Sequence, residues 1–283
     1  MSLELMYITN RPDVALAVEE AGIDRVFVDM EYIGKSLRQG GMDTVQSHHT
    51  VEDVKNLRKV LKNAKLLVRV NPIHDAFDGC GSSESEIESV IESGADVVML
   101  PYFKTAHEAE RFITAVDGRA RTCLLVETAE AAENLDGILS VGGIDEIHIG
   151  LNDLHLAYKM KFLFELLADG TVEALCRKIR DKGISYGFGG VARVGTGTLP
   201  AECILGEHYR LGSDRIILSR AFCDVSKEKD IYSVREKLCS GVADLRQFEE
   251  SLKDWSDSDY EENRKRLCAC VEKIVSMMNT LKG

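Results

Sequence analysis

Eight short apolar runs, each bounded by Gly, Asp or Pro and separated by stretches of helical pattern, constrain this chain more than any other feature. They are Leu3–Ile8, Asp24–Asp29, Leu66–Val70, Asp96–Leu100, Thr122–Val126, Ile144–Ile149, Ser185–Phe188 and Arg215–Leu218. Runs this short and this apolar read as parallel strands buried on both faces. Between them, Pro12-Asp13 opens a helix, Thr50-Val51-Glu52-Asp53 has the cap and acidic first turn of another, and Ser83-Glu84-Ser85-Glu86 starts a third. Eight successive βα units predict an α/β fold, a (β/α)8 TIM barrel, rather than an open doubly wound sheet. No Gly-x-Gly-x-x-Gly follows the first run, so the main dinucleotide-binding signature is missing.

The barrel is predicted over residues 1–225. Beyond Cys223 the strand pattern stops, and 226–283 read as a C-terminal extension of charged amphipathic helices carrying Trp255. Its apolar stripe, Trp255, Leu267, Val271, Ile274, Val275 and Met278, predicts packing on a neighbouring subunit and therefore a homo-oligomer. A helix folded back on its own barrel is the alternative.

A chain of 283 residues with 45% hydrophobic content can bury a large core in one domain. It has no apolar stretch of membrane-spanning length, and Met1-Ser2-Leu3-Glu4 lacks the regions of a signal peptide, so a cytoplasmic location is expected. A formal net charge of -12 argues against non-specific binding to nucleic acid or an anionic membrane. The 8 cysteines are dispersed without a Cys-x-x-Cys pair and read as reduced packing residues.

In a barrel of this kind active sites occupy the C-terminal ends of the strands. Glu127 closes the run Cys123–Val126, and Asp153 follows Ile147–Ile149 through Gly150-Leu151-Asn152. A carboxylate at the end of an apolar strand needs a cation or a hydrogen-bond network to offset its desolvation. Two of them, one βα unit apart, suggest a divalent metal. Asp29 and Glu31 end the second run, Arg69 interrupts the third, and Ser219-Arg220 ends the eighth. An acidic chain that places Arg69, Arg193, Arg220, His48 and His49 near strand ends predicts a small anionic, carboxylated substrate. For Lys35, Arg38 and Lys104 a solvated loop is the expectation, and for His208 a structural place on a helix. In the stretch Gly187–Gly197, glycine and Arg193 suggest a phosphate or second-carboxylate site, with a loop that merely closes the site as the equal alternative.

The stretch Val126-Glu127-Thr128-Ala129-Glu130-Ala131, followed by Ile147-His148-Ile149-Gly150-Leu151-Asn152-Asp153-Leu154, resembles the paired metal motif of the HpcH/HpaI aldolase and citrate lyase beta-subunit family. Asp29-x-Glu31 and Val68-Arg69-Val70-Asn71 match in type and order, so the resemblance covers roughly residues 3 to 223. It implies a phosphoenolpyruvate/pyruvate-type barrel, a class II aldolase-type lyase that binds Mg2+ or Mn2+ and makes or breaks a carbon-carbon bond next to a 2-oxo acid or a related acyl carbonyl. An oxygen-rich site favours these ions over zinc. By the same resemblance Glu127 and Asp153 hold the ion, Arg69 meets the developing enolate oxygen, and the N–H groups of Gly150, Leu151 and Asn152 receive the carboxylate. Asp29 and Glu31 orient water or Arg69.

The sequence departs from the aldolase branch at one place. A histidine usually follows Asp-x-Glu as acid/base, and Tyr32 stands there instead. His48 and His49, later in the same loop, are the candidates for that role. An acyl-CoA-ester lyase or thioesterase of the citrate lyase type, and a non-catalytic carboxylate-binding barrel, remain alternatives.

Overall fold

The computed structural model describes residues 2–35, 47–77, 79, 81–228 and 230–280. Eight strands close into a barrel in chain order: β1 (Glu4–Ile8), β2 (Arg25–Asp29), β3 (Lys65–Arg69), β4 (Val97–Leu100), β5 (Arg121–Val126), β6 (Glu146–Ile149), β7 (Ser185–Val191) and β8 (Arg215–Leu218). All neighbours are parallel, and β1 closes on β8 with Glu4 opposite Arg215 and Tyr7 opposite Leu218. The outer layer comprises α1 (Pro12–Glu20), α2 (Val51–Val60), α3 (Ser83–Glu92), α4 (Ala106–Val116), α5 (Ala129–Glu133), α6 (Leu135–Ile138), α7 (Leu151–Ala157), α8 (Glu165–Ala168), α9 (Thr171–Asp181) and α10 (Ala201–Leu211). Local chemistry sets several of these starts. Pro12 occupies the first turn of α1, where its missing N–H costs nothing, and Thr50 with Asp53 forms a reciprocal capping box on α2.

Alternation along the strands gives the barrel interior three levels. At the N-terminal end, Glu146 is gripped by Arg25 (Nη1 to Oε2 2.6 Å), Arg121 (Nε to Oε1 2.8 Å) and Arg215. Above this lies a dry layer of Met6, Phe27, Leu67, Val97, Met99, Cys123 and Leu125. The strand-facing side chains of the other parity, such as Val26, Val68, Leu124 and Ile147, pack outward against the helices in one large cluster. Polar residues return at the C-terminal mouth.

β7 runs further than the sequence pattern suggests, because the glycines continue the strand through an irregular register between Gly187 and Gly190. A Cβ on Gly187 would lie 2.3 Å from the backbone oxygen of Arg215, so glycine serves strand contact at this position.

The extension forms α11 (Ile231–Leu252) and α12 (Asp257–Thr280). Within this one chain both helices have a place on the barrel. α11 lies on α1, and α12 lies on α10 and α8 of the same chain. Leu238, Val242, Leu245, Leu267 and Val271 are buried there, with Trp255, Ile274 and Val275 partly covered. The connection from β6 to β7 carries three helices, α7, α8 and α9, and α12 packs on the second of them as well as on α10. No helix among the described residues is long and apolar enough to cross a membrane.

Candidate active site at the C-terminal mouth

Asp29 and Arg69 are register partners on β2 and β3, and both point into the barrel. Arg69 donates from Nε to Oδ1 and from Nη2 to Oδ2 of Asp29, each at 2.8 Å, the two-pronged geometry that fixes a guanidinium in place. Lys35 reaches the same carboxylate, with Nζ 2.8 Å from Oδ2, and lies 3.4 Å from Glu31. Arg69 Nη1 stands 3.5 Å from Glu31, so two cations share two buried carboxylates. Burial alone would push the Asp29 carboxyl up, but Arg69 and Lys35 outweigh it and hold it well below the usual range. Burial works against the Arg69 cation too, and Asp29 and Glu31 more than compensate, so it stays charged.

Lys35 is therefore not the solvated loop residue its surroundings in sequence suggest. Asn71, just past β3, fixes the segment that delivers it. Its Oδ1 accepts from the N–H of Tyr32 at 2.9 Å and of Ile33 at 3.0 Å, while its Nδ2 donates to Glu86 at 2.9 Å.

On the other side of the mouth, Glu127 ends β5, buried, and accepts from the N–H of Tyr102 at 3.0 Å. Tyr102 adopts the left-handed region, φ 48°, which is uncommon outside glycine, at the start of the loop that carries this donor. Burial first, then the charges of Glu31 and Asp153, push the Glu127 carboxyl well above its ordinary value, with Arg69 pulling the other way. Asp153 lies buried in the first turn of α7. The short strand-to-helix connection needs Gly150, because a Cβ there would lie 2.8 Å from Glu127 Oε2 and 2.9 Å from its Cβ.

The other expected residues divide. Gly150 does not offer its N–H to a ligand, since that group donates to Val126 O at 2.9 Å. Leu151 and Asn152 open α7, where backbone N–H groups lack helical partners. Arg193 is turned to the extension, with Nη2 3.0 Å from Ser240 Oγ and 3.4 Å from Asp244, which removes it from the carboxylate cluster. Arg220 sits exposed in the turn after β8. His48 is exposed, whereas His49 is half-buried and its Nδ1 accepts the N–H of Asp29 at 3.0 Å. Lys104 pairs with Glu130 at the surface, and Arg38 lies outside the described residues. His208 is buried, stacked on Phe188, with Nδ1 2.7 Å from Ser213 Oγ.

The donor set fits a hard divalent ion. Glu127 is buried among like charges that a cation would relieve, and glycine at 150 keeps space beside it. Among the described residues no group of three or more His, Cys, Asp or Glu is assembled for a metal, so Glu127 and Asp153 would supply a two-carboxylate site that leaves positions to water and substrate.

Fold and mouth together define a (β/α)8 barrel with a carboxylate-rich centre at the strand C-termini, backed by a fixed arginine. The chain belongs to the HpcH/HpaI aldolase/citrate lyase family, whose model matches residues 5–167. It is 32% identical to a 2-keto-3-deoxy-L-rhamnonate aldolase from Shigella dysenteriae, across 39% of this chain and 53% of that protein. It is 27% identical to a 4-hydroxy-2-oxovalerate aldolase from Novosphingobium aromaticivorans, across 34% of this chain and 48% of that one. The chain thus spans about half the length of these curated relatives. A solved HpcH/HpaI aldolase from Desulfitobacterium hafniense shares the fold, with a TM-score of 0.59 at 17% identity over 83% of this chain and 93% of that one.

Proposed function

We propose that this protein is a metal-dependent carbon-carbon lyase acting on a 2-oxo acid, with Mg2+ or Mn2+ held by Glu127 and Asp153. The observation that carries this reading is the buried Glu127, destabilised as an anion by burial, Glu31 and Asp153, at a strand end where Arg69 is held as a permanent cation. Aldolases of this family generally depend on a divalent metal. The ion would act as a Lewis acid on the oxo group and would lower the barrier to enolate formation.

The chain's own residues then have separate tasks. Arg69, aligned by its double contact to Asp29, offers its remaining guanidinium edge to the oxygen on which charge develops. Lys35 and Arg69 keep Asp29 ionised and pair with Glu31. Leu151 and Asn152 present helix-start N–H groups beside Asp153, suited to a substrate carboxylate.

Calorimetry of Glu127→Gln and Asp153→Asn tests the metal assignment: both should lose most Mg2+ and Mn2+ affinity while staying folded. Unchanged affinity in both variants would overturn it. Solvent-deuterium exchange into the methyl group of pyruvate tests the chemistry, because enolisation exchanges those protons and simple carboxylate binding does not.

A further inference from the structure

The imidazole at the end of β2 has its protonation state dictated by the backbone. The Asp29 N–H donates to His49 Nδ1 at 3.0 Å, so Nδ1 bears a lone pair and the neutral ring carries its proton on Nε2. Charging the ring would set a second N–H against the first. Burial pushes the imidazole pKa down, with Asp29 and Asp53 acting upward and Lys35 and Arg69 adding to the downward push. Among the described residues none accepts a hydrogen bond from Nε2. Asp53 is otherwise engaged, by Asn10 Nδ2 on one oxygen and by Thr50 on the other.

We propose that His49 is a permanent neutral hydrogen-bond donor, through Nε2–H, to an oxygen in the half of the substrate remote from the 2-oxo acid, and that it is not the proton carrier of the reaction. The inference rests on the lyase reading above. In the closed strand order, β2 lies across the barrel from β5 and β6, which carry Glu127 and lead to Asp153. A 2-oxo-acid group held at β5 and β6 sends the rest of the molecule across the mouth toward His49. In the bond-forming direction the enolate carbon attacks an aldehyde carbon, the carbonyl pair moves onto oxygen, and the resulting alkoxide takes a proton from water. Nε2–H stabilises that oxygen throughout and keeps its own proton, as a neutral imidazole can.

Two substitutions separate the ring's two nitrogens. Asparagine places an acceptor where Nδ1 was and offers nothing at Nε2. Glutamine reaches the Nε2 position with an amide N–H and gives up the Asp29 contact. With full-length, metal-loaded protein, pyruvate and a small aldehyde, the ratio of carbon-carbon bond formation to pyruvate proton exchange should fall about 10²-fold in His49→Asn. It should recover in part in His49→Gln, with the pH profile unchanged in both. Wild-type addition in His49→Asn would reduce the ring to a structural role, and loss of exchange together with a limb of the pH profile would make it the base; either result overturns the proposal. Wild-type protein that neither exchanges nor adds would fail the lyase reading itself, whereas wild-type exchange beside an unaffected Asn variant fails the donor alone. Nitrogen NMR of histidine-labelled protein gives a readout independent of turnover. An unprotonated Nδ1 and protonated Nε2 should be present at neutral pH, and a doubly protonated or Nδ1–H ring at that pH would refute the assignment.

Discussion

At the N-terminal end of the barrel Glu146 receives Arg25, Arg121 and Arg215, whereas at the C-terminal mouth Glu127 faces Glu31 and Asp153, with Arg69 as the cation that offsets them. Both ends bury ionised side chains inside the same ring of strands. Their carboxyl groups shift in opposite directions. Burial would push both up, but at Glu146 the guanidinium groups prevail and bring it down to about 2, while Glu127 stays raised well above its ordinary value. The lower cluster closes its own charge balance and serves the fold. The upper one has surplus negative charge, which a divalent ion would neutralise.

The sharpest way to break this comparison is to remove the central carboxylate at each end. Glu146→Ala leaves three guanidinium groups without their shared partner and should cost about 3–5 kcal/mol in denaturant unfolding. A loss under about 1 kcal/mol would show that the lower cluster is not structural. Glu127→Gln should leave metal-free stability unchanged or raise it, because it deletes a carboxylate buried among its own kind.

Arg69→Lys comes next. A point-charge ammonium cannot reproduce the fork against Asp29 and the substrate together, so kcat should drop about 10²–10³-fold, or about 2.7–4 kcal/mol, with metal affinity little changed. Near-native turnover would remove Arg69 from the reaction.

Gly150→Ala is a smaller probe of the same end. The new methyl would press on the Glu127 carboxylate and should cost about 1–3 kcal/mol, read as weaker metal binding rather than as loss of the barrel. Unaltered affinity would show that Glu127 has room to move.

The mildest test is pH. Because the folded Glu146 carboxyl titrates below its ordinary value of 4.5, its stabilisation is full above that value and is lost as pH falls toward 2. Acid unfolding should therefore shift to higher pH in variants that lack one of its arginines, and circular dichroism between about pH 5 and 2 measures this.

The strands, their order and the placement of Glu127, Asp153, Asp29 and Arg69 could all be read from the sequence, because apolar runs mark buried strands and a charge at a run's end is conspicuous. Lys35 could not, since a lysine in a polar loop looks solvated until the fold sets it against Asp29 and Glu31. The donor from Tyr102 depends on a backbone conformation that no side-chain pattern encodes. Asn71 gave a faint signal, a polar residue just past an apolar strand, but its two amide contacts are made to a segment 38 and 39 residues away. The contacts of Arg193 were hidden for a related reason. Beside glycines it resembles an anion binder, yet its partners come from α11, which the local pattern does not bring near. The stripe on α12 was visible, while its partners on α8 and α10 come from other parts of the sequence that the local pattern does not bring near.

The first strand is held from far along the chain. Leu3 N–H donates to Glu249 Oε1 at 2.8 Å, and Arg246 reaches Leu3 O at 2.8 Å, while the strand's edge pairs with β8. A polypeptide leaves the ribosome from its N-terminus, so β1 emerges first and waits for partners from the last third of the sequence. During synthesis the ring can only be an open arc, with the edge of β1 unpaired until β8 arrives and the Leu3 N–H just before it without its Glu249 partner until α11 follows. For this protein, vectorial synthesis makes closure of the barrel a late event, and the extension is the latch that ends it.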